Sequence, residues 1–328
     1  MCPYLGRQGT TYLEPGDWQM TVSYRRYHAF RDYQGGKALP VPSPPELYAN
    51  TRVNIFDLTL THTLTKRFSV SVEVPFLKAS RETYLEHQDG SPHTMRSSGV
   101  GDVKVIGNLW LLDPSESPNQ NVSLKLGFKA PTGDYSAEDN SYRGTGSVLR
   151  PVDPAIQPGT GGWGLLFGAQ AFKRIHRDTI LYAEGTYLSN PREMNGTQTP
   201  FGDNPELTLG EIGYTIDSIP DLYLGRAGVT HEVLPSKGLS ASFGLRTDGV
   251  PARDLIGGSD GYRLPGYSVS LEPGISFSRG KDFFSFSLPF TVKGHGSASV
   301  TDRRTQSPYT GIVTLADKQV ILTYSRRF

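Results

Sequence analysis

The feature that most constrains this sequence is an alternation of apolar and polar residues with period two, kept up over unusually long stretches. In 283–293, Phe284, Phe286, Leu288, Phe290 and Val292 alternate with Ser285, Ser287, Pro289, Thr291 and Lys293. The same pattern sets Trp18, Met20, Val22 and Tyr24 against Gln19, Thr21, Ser23 and Arg25, and Phe68, Val70, Val72, Val74 and Phe76 against Ser69, Ser71 and Glu73. It recurs in 121–129 and 238–246. Alternate residues of a strand share a face, so each run is a strand with one apolar and one polar side. Strands of soluble domains run to about 5–6 residues. A tilted strand crossing a bilayer needs about 9–11, and most of these runs have that length.

The connections sharpen the reading. Short ones (65–67, 113–120, 174–177, 234–237, 279–282) alternate with long ones (29–50, 78–100, 130–160, 189–220, 248–266, 294–316). Short turns at one end and long loops at the other describe a bacterial outer-membrane barrel with periplasmic turns and extracellular loops. The expected fold is therefore all-β: a transmembrane antiparallel up-and-down β-barrel of about twelve strands. They are placed at 18–28, 51–64, 68–77, 101–112, 121–129, 161–173, 178–188, 221–233, 238–247, 267–278, 283–293 and 317–328. A thirteenth strand at 207–216 would reverse every later connection, so that segment is assigned to the fourth long loop as a projecting hairpin arm. Residues 18–328 read as one barrel domain and 1–17 as a periplasmic segment.

Composition fits once it is split by face. Mean hydropathy is −0.38 and the apolar set only 36%, but a barrel averages a lipid face with a polar lumen and wet loops. Gly 37 and Pro 24 are high and suit turns. No apolar run reaches the roughly 18 residues of a transmembrane helix. A formal charge of +1 offers no nucleic-acid surface. The single cysteine, Cys2, excludes a disulfide framework and reads as a free thiol rather than a lipid anchor. Residues 1–17 lack the apolar core of a signal peptide, so a mature sequence is expected. Val320, Leu322, Tyr324 and the terminal Phe328 share one face, a pattern by which the barrel-insertion machinery recognises a last strand.

Three short runs carry a family resemblance: Gly99-Val100-Gly101-Asp102, Lys129-Ala130-Pro131-Thr132-Gly133-Asp134 and Gln157-Pro158-Gly159-Thr160-Gly161. Their order and loop positions, over about 99–165, resemble the porin-like outer-membrane family associated with meta-pathway phenol degradation. A stretch at 249–261 looks like a variant found among related barrels. The resemblance implies a barrel in the outer membrane and uptake of small molecules, and it carries over no functional residues.

If the apolar side faces lipid, the alternate side faces the lumen. Six basic residues then point inward, Arg25, Lys104, Lys125, Arg226, Arg246 and Lys293, with six acidic ones, Asp57, Glu73, Asp102, Glu184, Glu232 and Glu272. Equal numbers suggest facing pairs. Two readings stand, a stabilising network across a filled interior and a small-solute path between charged walls. Ile106, Trp110, Leu166, Phe172 and Leu224 also point inward, either packed on loop residues folded into the barrel or forming an apolar stretch for an aromatic solute.

The Gly-Asp pairs at 101–102 and 133–134 read as turns in which glycine supplies positive φ and aspartate bonds the backbone. Binding of a divalent cation by Asp102, Asp134, Glu138 and Asp139 is the functional reading, although their spacing is not that of a calcium loop. Asp254, Asp260 and Arg263 invite the same question. The seven histidines form no metal-binding pair and no nucleophile elbow is present. A barrel phospholipase would need a lipid-facing histidine, and His62 near a short turn is the one candidate, with an interfacial role the simpler reading. The sequons at Asn121 and Asn195 are chance matches in a bacterial chain. No enzyme activity, cofactor or metal is expected. The expected partners are outer-membrane lipid, the insertion machinery acting through Phe328 and a small solute. The leading function is a passive channel for small solutes, hydrophobic or aromatic ones included. Its rival is a plugged barrel whose external loops bind partners.

Overall fold

The computed structural model describes residues 13–43, 45, 48–200, 202, 212–305 and 311–328. Twelve strands span the wall: β1 Trp18–Gln34, β2 Ala49–Thr63, β3 Phe68–Thr83, β4 in two pieces (His93–Val100 and Lys104–Trp110), β5 Gln120–Lys129 and β6 Gly164–His176. They continue with β7 Thr179–Ser189, β8 Leu222–Leu234, β9 Leu239–Val250, β10 Gly266–Arg279, β11 in two pieces (Asp282–Ser287 and Phe290–Gly296) and β12 Ile312–Arg327. Every neighbour pairs antiparallel, and β1 pairs with β12 from Gln19↔Arg327 to Gln34↔Ile312, which closes the sheet. Closure removes the unpaired edge that a bilayer would not tolerate.

Residues 64–67, 111–119, 177–178, 235–238 and 280–281 make the short turns, and Gly238 and Gly280 adopt positive φ in the last two. Outward side chains are apolar and exposed along the wall, among them Leu58, Leu126, Leu245 and Ile275. Exposure of that extent marks contact with lipid rather than water. Trp18 stacks on His62 at 4.2 Å at the short-turn end, and Asp17 meets the His62 ring at 3.3 Å through its carbonyl. His62 thus belongs to an aromatic girdle.

The strands outrun their expected limits at the loop end. β1 continues to Gln34, β3 to Thr83, β4 starts at His93 and β12 at Ile312. In Lys78–Thr83 the outward residues Lys78, Ser80 and Glu82 are polar because they stand clear of lipid, so period two carries no signal there. The long loops are structured: Glu138–Arg143 pairs with Gly146–Pro151, and Met194–Gln198 with Ile216–Ser218. Ile216 to Ser218 is therefore a loop strand, preceded by the helical turn Ile212–Thr215. Residues 207–211, like 1–12 with Cys2, lie outside the described residues.

One inward assignment is overturned. Pro289 has no N–H to donate and sits where β11 breaks; beyond it the register slips between Val269 and Ser270 of β10. Lys293 then lies opposite Val269 and is exposed on the outer face. A one-residue bulge turns every later side chain over.

Candidate functional site

The barrel interior holds two layers. The lower one is a belt of ion pairs. Lys104 of β4 pairs with Glu73 of β3, and Asp57 interacts electrostatically with both of them and with Arg25. On the other side Lys125 reaches Glu184 at 3.1 Å, Arg226 bridges Glu184 at 3.1 Å and Glu272 at 3.4 Å, and Ser287 Oγ donates to Glu272 at 3.1 Å. This chain runs over β5, β7, β8, β10 and β11, and its members are at most 11% exposed. Buried charges demand such pairing.

The other candidates find partners that parity did not supply. Arg246 forks Asp248 at 2.5 Å, Glu232 meets Arg174 at 3.5 Å near the short-turn rim, and Asp102 meets Lys129 at 3.3 Å. Lys129 and Asp248 share the inward face with Lys125 and Arg246, so alternation alone could have found them. The apolar inward residues pack chiefly on one another. Ile106, Leu166, Leu188 and Leu222 form one cluster, Trp110 meets Phe172 edge-on at 6.1 Å, and Leu224 is buried. The apolar surface that receives a loop is instead Val53, Ile55, Leu77, Ala79 and Met95, on which Val152 and Ile156 are fully buried.

That loop, 130–163, is the upper layer. It is buckled in place where the three motif runs meet. Asp102 Oδ1 accepts from Gly133 N at 3.1 Å, while Oδ2 accepts from Thr160 N at 3.1 Å and Thr160 Oγ1 at 2.7 Å. Lys129 Nζ also donates to Thr160 Oγ1. Neither Gly101 nor Gly133 has positive φ, which corrects the turn reading. Glycine is required for close approach: a Cβ on Gly133 would lie 2.7 Å from Gly159 Cα and 2.9 Å from the Gly101 backbone. Asp134 does form the expected Asx turn, accepting from Ser136 N at 2.9 Å. Asp139 accepts from Arg96 N at 2.7 Å. Asp102, Asp134 and Asp139 are thus engaged separately, and no cluster of three ligand side chains occurs among the described residues.

Other loops close over this one. Arg81, on the loop end of β3, pairs with Glu86 at 2.7 Å and Asp153 at 3.5 Å and donates to Thr51 Oγ1 at 3.0 Å. Arg263 forks Asp254 with both groups buried, and Arg304 pairs with Asp260. In the loop after β3, burial pushes the Glu86 carboxyl up to about 7, against the pull of Arg81 and with Asp153 adding to the rise. Burial likewise holds Asp217 well above the usual carboxylate range. A carboxyl raised in the folded state contributes stability below its unfolded value and loses it as pH rises through the folded one. For Glu86 the loss falls between 4.5 and about 7. Limited proteolysis of the external loops should accordingly be faster near pH 8 than near pH 5, and equal rates would rule out this linkage.

Between belt and loops lies a cavity of about 220 Å³, bounded by Arg25, Tyr27 and Thr51 on one side, Asp248 and Ser268 on the other, and Asp153 with Ala155 of the loop above. It is an interior space of a size to hold a small solute, with polar groups around its wall and apolar ones (Val250, Leu264, Val313) among them.

Closed strands, a lipid-facing exterior and a polar interior define an outer-membrane β-barrel. Residues 28–149 match the model of the family described as "Putative MetA-pathway of phenol degradation". The fold is that of an outer membrane channel from Pseudomonas putida F1, COG4313, at TM-score 0.63 and 16% identity, covering 98% of this chain and 100% of that one. The translocator domain of the autotransporter NalP from Neisseria meningitidis aligns at TM-score 0.48 and 9% identity over 97% and 90% of the two chains. The toluene transporter TodX from P. putida aligns at 0.46 and 9% over 97% and 91%. Comparison with curated protein sequences gives no match.

Proposed function

We propose that this barrel is a passive outer-membrane channel for small solutes, hydrophobic or aromatic ones included. The observation that carries the proposal is the cavity of about 220 Å³ inside a closed barrel, set between the ion-pair belt and a loop held by hydrogen bonds. A space of that size suits a solute of one aromatic ring rather than an oligosaccharide. The printed descriptions of the family model, a phenol-degradation pathway, and of the P. putida F1 channel support the same reading. On this reading the inward residues Arg25, Asp57, Glu73, Lys104, Lys125, Glu184, Arg226, Arg246 and Glu272 line the path, Asp102 anchors the loop above it, and Glu232 lies at its periplasmic exit. No catalytic role is assigned to the chain. Residues 18–328 form the barrel domain, 1–17 a periplasmic segment, and the strand ending in Phe328 presents itself to the insertion machinery.

Uptake into liposomes tests the size limit. Benzenesulfonate, a single ring with a permanent charge, should enter protein-containing vesicles at least tenfold faster than protein-free ones, while raffinose should not. Exclusion of both would favour the second reading, a plugged barrel whose loops bind partners, for which the packing of Val152 and Ile156 into the wall speaks.

A further inference from the structure

The outer face of β1–β4 carries a feature that solute passage does not use. The register pairs Tyr24 with Phe56, Phe56 with Phe76 and Phe76 with Val100, a continuous apolar row that ends the lipid-facing run of all four strands. Tyr24 and Phe56 pack with ring centroids 4.8 Å apart. The next outward row is Arg26, Asn54, Lys78 and Ser98; the one after is His28, Arg52, Ser80 and Arg96. Four cations therefore alternate over two rows, directly above an aromatic edge. With strands about 4.8 Å apart and about 3.3 Å per residue, Arg26 and Lys78 stand about 10 Å apart, and Arg52 and Arg96 stand similarly one row on. Long side chains of that spacing can converge on one phosphate.

The four are exposed, and none enters an ion pair among the described residues. The Arg96 guanidinium donates to the Thr94 carbonyl, at 3.5 Å, and its backbone N–H to Asp139. No carboxylate occupies either row. Glu82, one row further out, accepts from Asn50 at 3.4 Å, and Asp139 is taken up by backbone N–H groups. Arg52, Lys78 and Arg96 line a groove of about 550 Å³ that Asp134 and Glu138 of the loop also border. Cations at the rim of a lipid-facing surface extend to the headgroup layer and attract its anions, and arginine binds phosphate through paired donors.

We propose that Arg26, Arg52, Lys78 and Arg96 bind the phosphate of a phosphorylated, multiply acylated glycolipid in the outer leaflet, whose acyl chains lie along Tyr24, Phe56, Phe76 and the aliphatic rows beneath. The adjoining apolar strip selects this ligand over a soluble anion, because only a lipid fills both parts of the surface. The site is independent of whether the lumen conducts.

Native mass spectrometry of the full chain in detergent, with bis-phosphorylated lipid A as probe, tests it. Lipid A should be retained at least tenfold better than its dephosphorylated form. The variant R26Q/R52Q/K78Q/R96Q should lose that preference, whereas K173Q, on β6 of the outer face, should keep it. A heat-modifiable gel shift reports folding of each variant. Should the quadruple variant not fold, R52Q/K78Q is expected to lower the preference at least threefold, and added salt should weaken it in the unmodified chain. Equal retention of the two lipids, equal loss in K173Q, or full competition by millimolar inorganic phosphate (which would mark a free-phosphate site) would each overturn the proposal.

Discussion

Replacing Gly133 by valine is expected to release the loop 130–163 from the barrel mouth and raise single-channel conductance several-fold. The Cβ at this position would lie 2.7 Å from Gly159 Cα and 2.9 Å from the Gly101 backbone. All of these obstacles are main chain, so no side chain can turn away to make room. The loop must part from β4, and with it go the hydrogen bonds that Asp102 accepts from Gly133 and Thr160. Val152 and Ile156 then lose their seat on Val53, Ile55 and Leu77. The barrel wall is untouched, so the heat-modifiable shift should persist while a protease gains access to the loop. Asp102→Asn keeps the backbone fit and should open the mouth less. An unchanged conductance and cleavage pattern in Gly133→Val would show that the buckle does not hold the loop.

Arg226→Met should be the most destabilising single change in the belt. Among the described residues Arg226 is the one cation that bridges Glu184 and Glu272, and Glu272 is fully buried. After the change Glu184 keeps Lys125, but Glu272 keeps only the Ser287 hydroxyl among the partners given above. Removing one partner of a buried pair costs about 3–5 kcal/mol, most of it from the charge left behind. A clear fall in the urea midpoint is expected, together with a shift of ion preference toward cations. Arg226→Met with Glu272→Gln should recover part of the stability, since the stranded charge is gone. If the double variant is no better than the single one, the loss lies in packing rather than in the uncompensated carboxylate.

What could be read from the sequence follows the physics of the two faces. Where one face meets lipid and the other a polar lumen, alternation is clean, and all twelve strands are visible. Above the membrane the outer face is polar and the inner face mixed, with Ala79 and Met95 beside Arg81 and Thr83, so Lys78–Thr83 and His93–Ser98 read as loop although they continue β3 and β4. Parity placed Glu184, Arg226 and Glu272 on the inner face; it also covers Lys129, the last residue of the strand at 121–129, and would have added Asp248 had the strand at 238–247 been drawn one residue further. It failed at Lys293, because the break at Pro289 and the register slip beyond it are set by pairing with β10. Nothing local marks Arg81, Glu86 and Asp153 as partners; their meeting depends on how a loop more than fifty residues away folds back. The motif runs were visible as glycine-rich punctuation, but that they converge on Asp102 is a tertiary fact.

The central claim is that a closed twelve-stranded barrel carries small solutes through its interior. Planar-bilayer recording of the purified, folded protein addresses it most directly. Discrete, small and well-defined conductance steps are predicted, narrow because the loop and the belt leave little free cross-section. Folded protein that inserts yet stays electrically silent, both unmodified and as Gly133→Val, would contradict it.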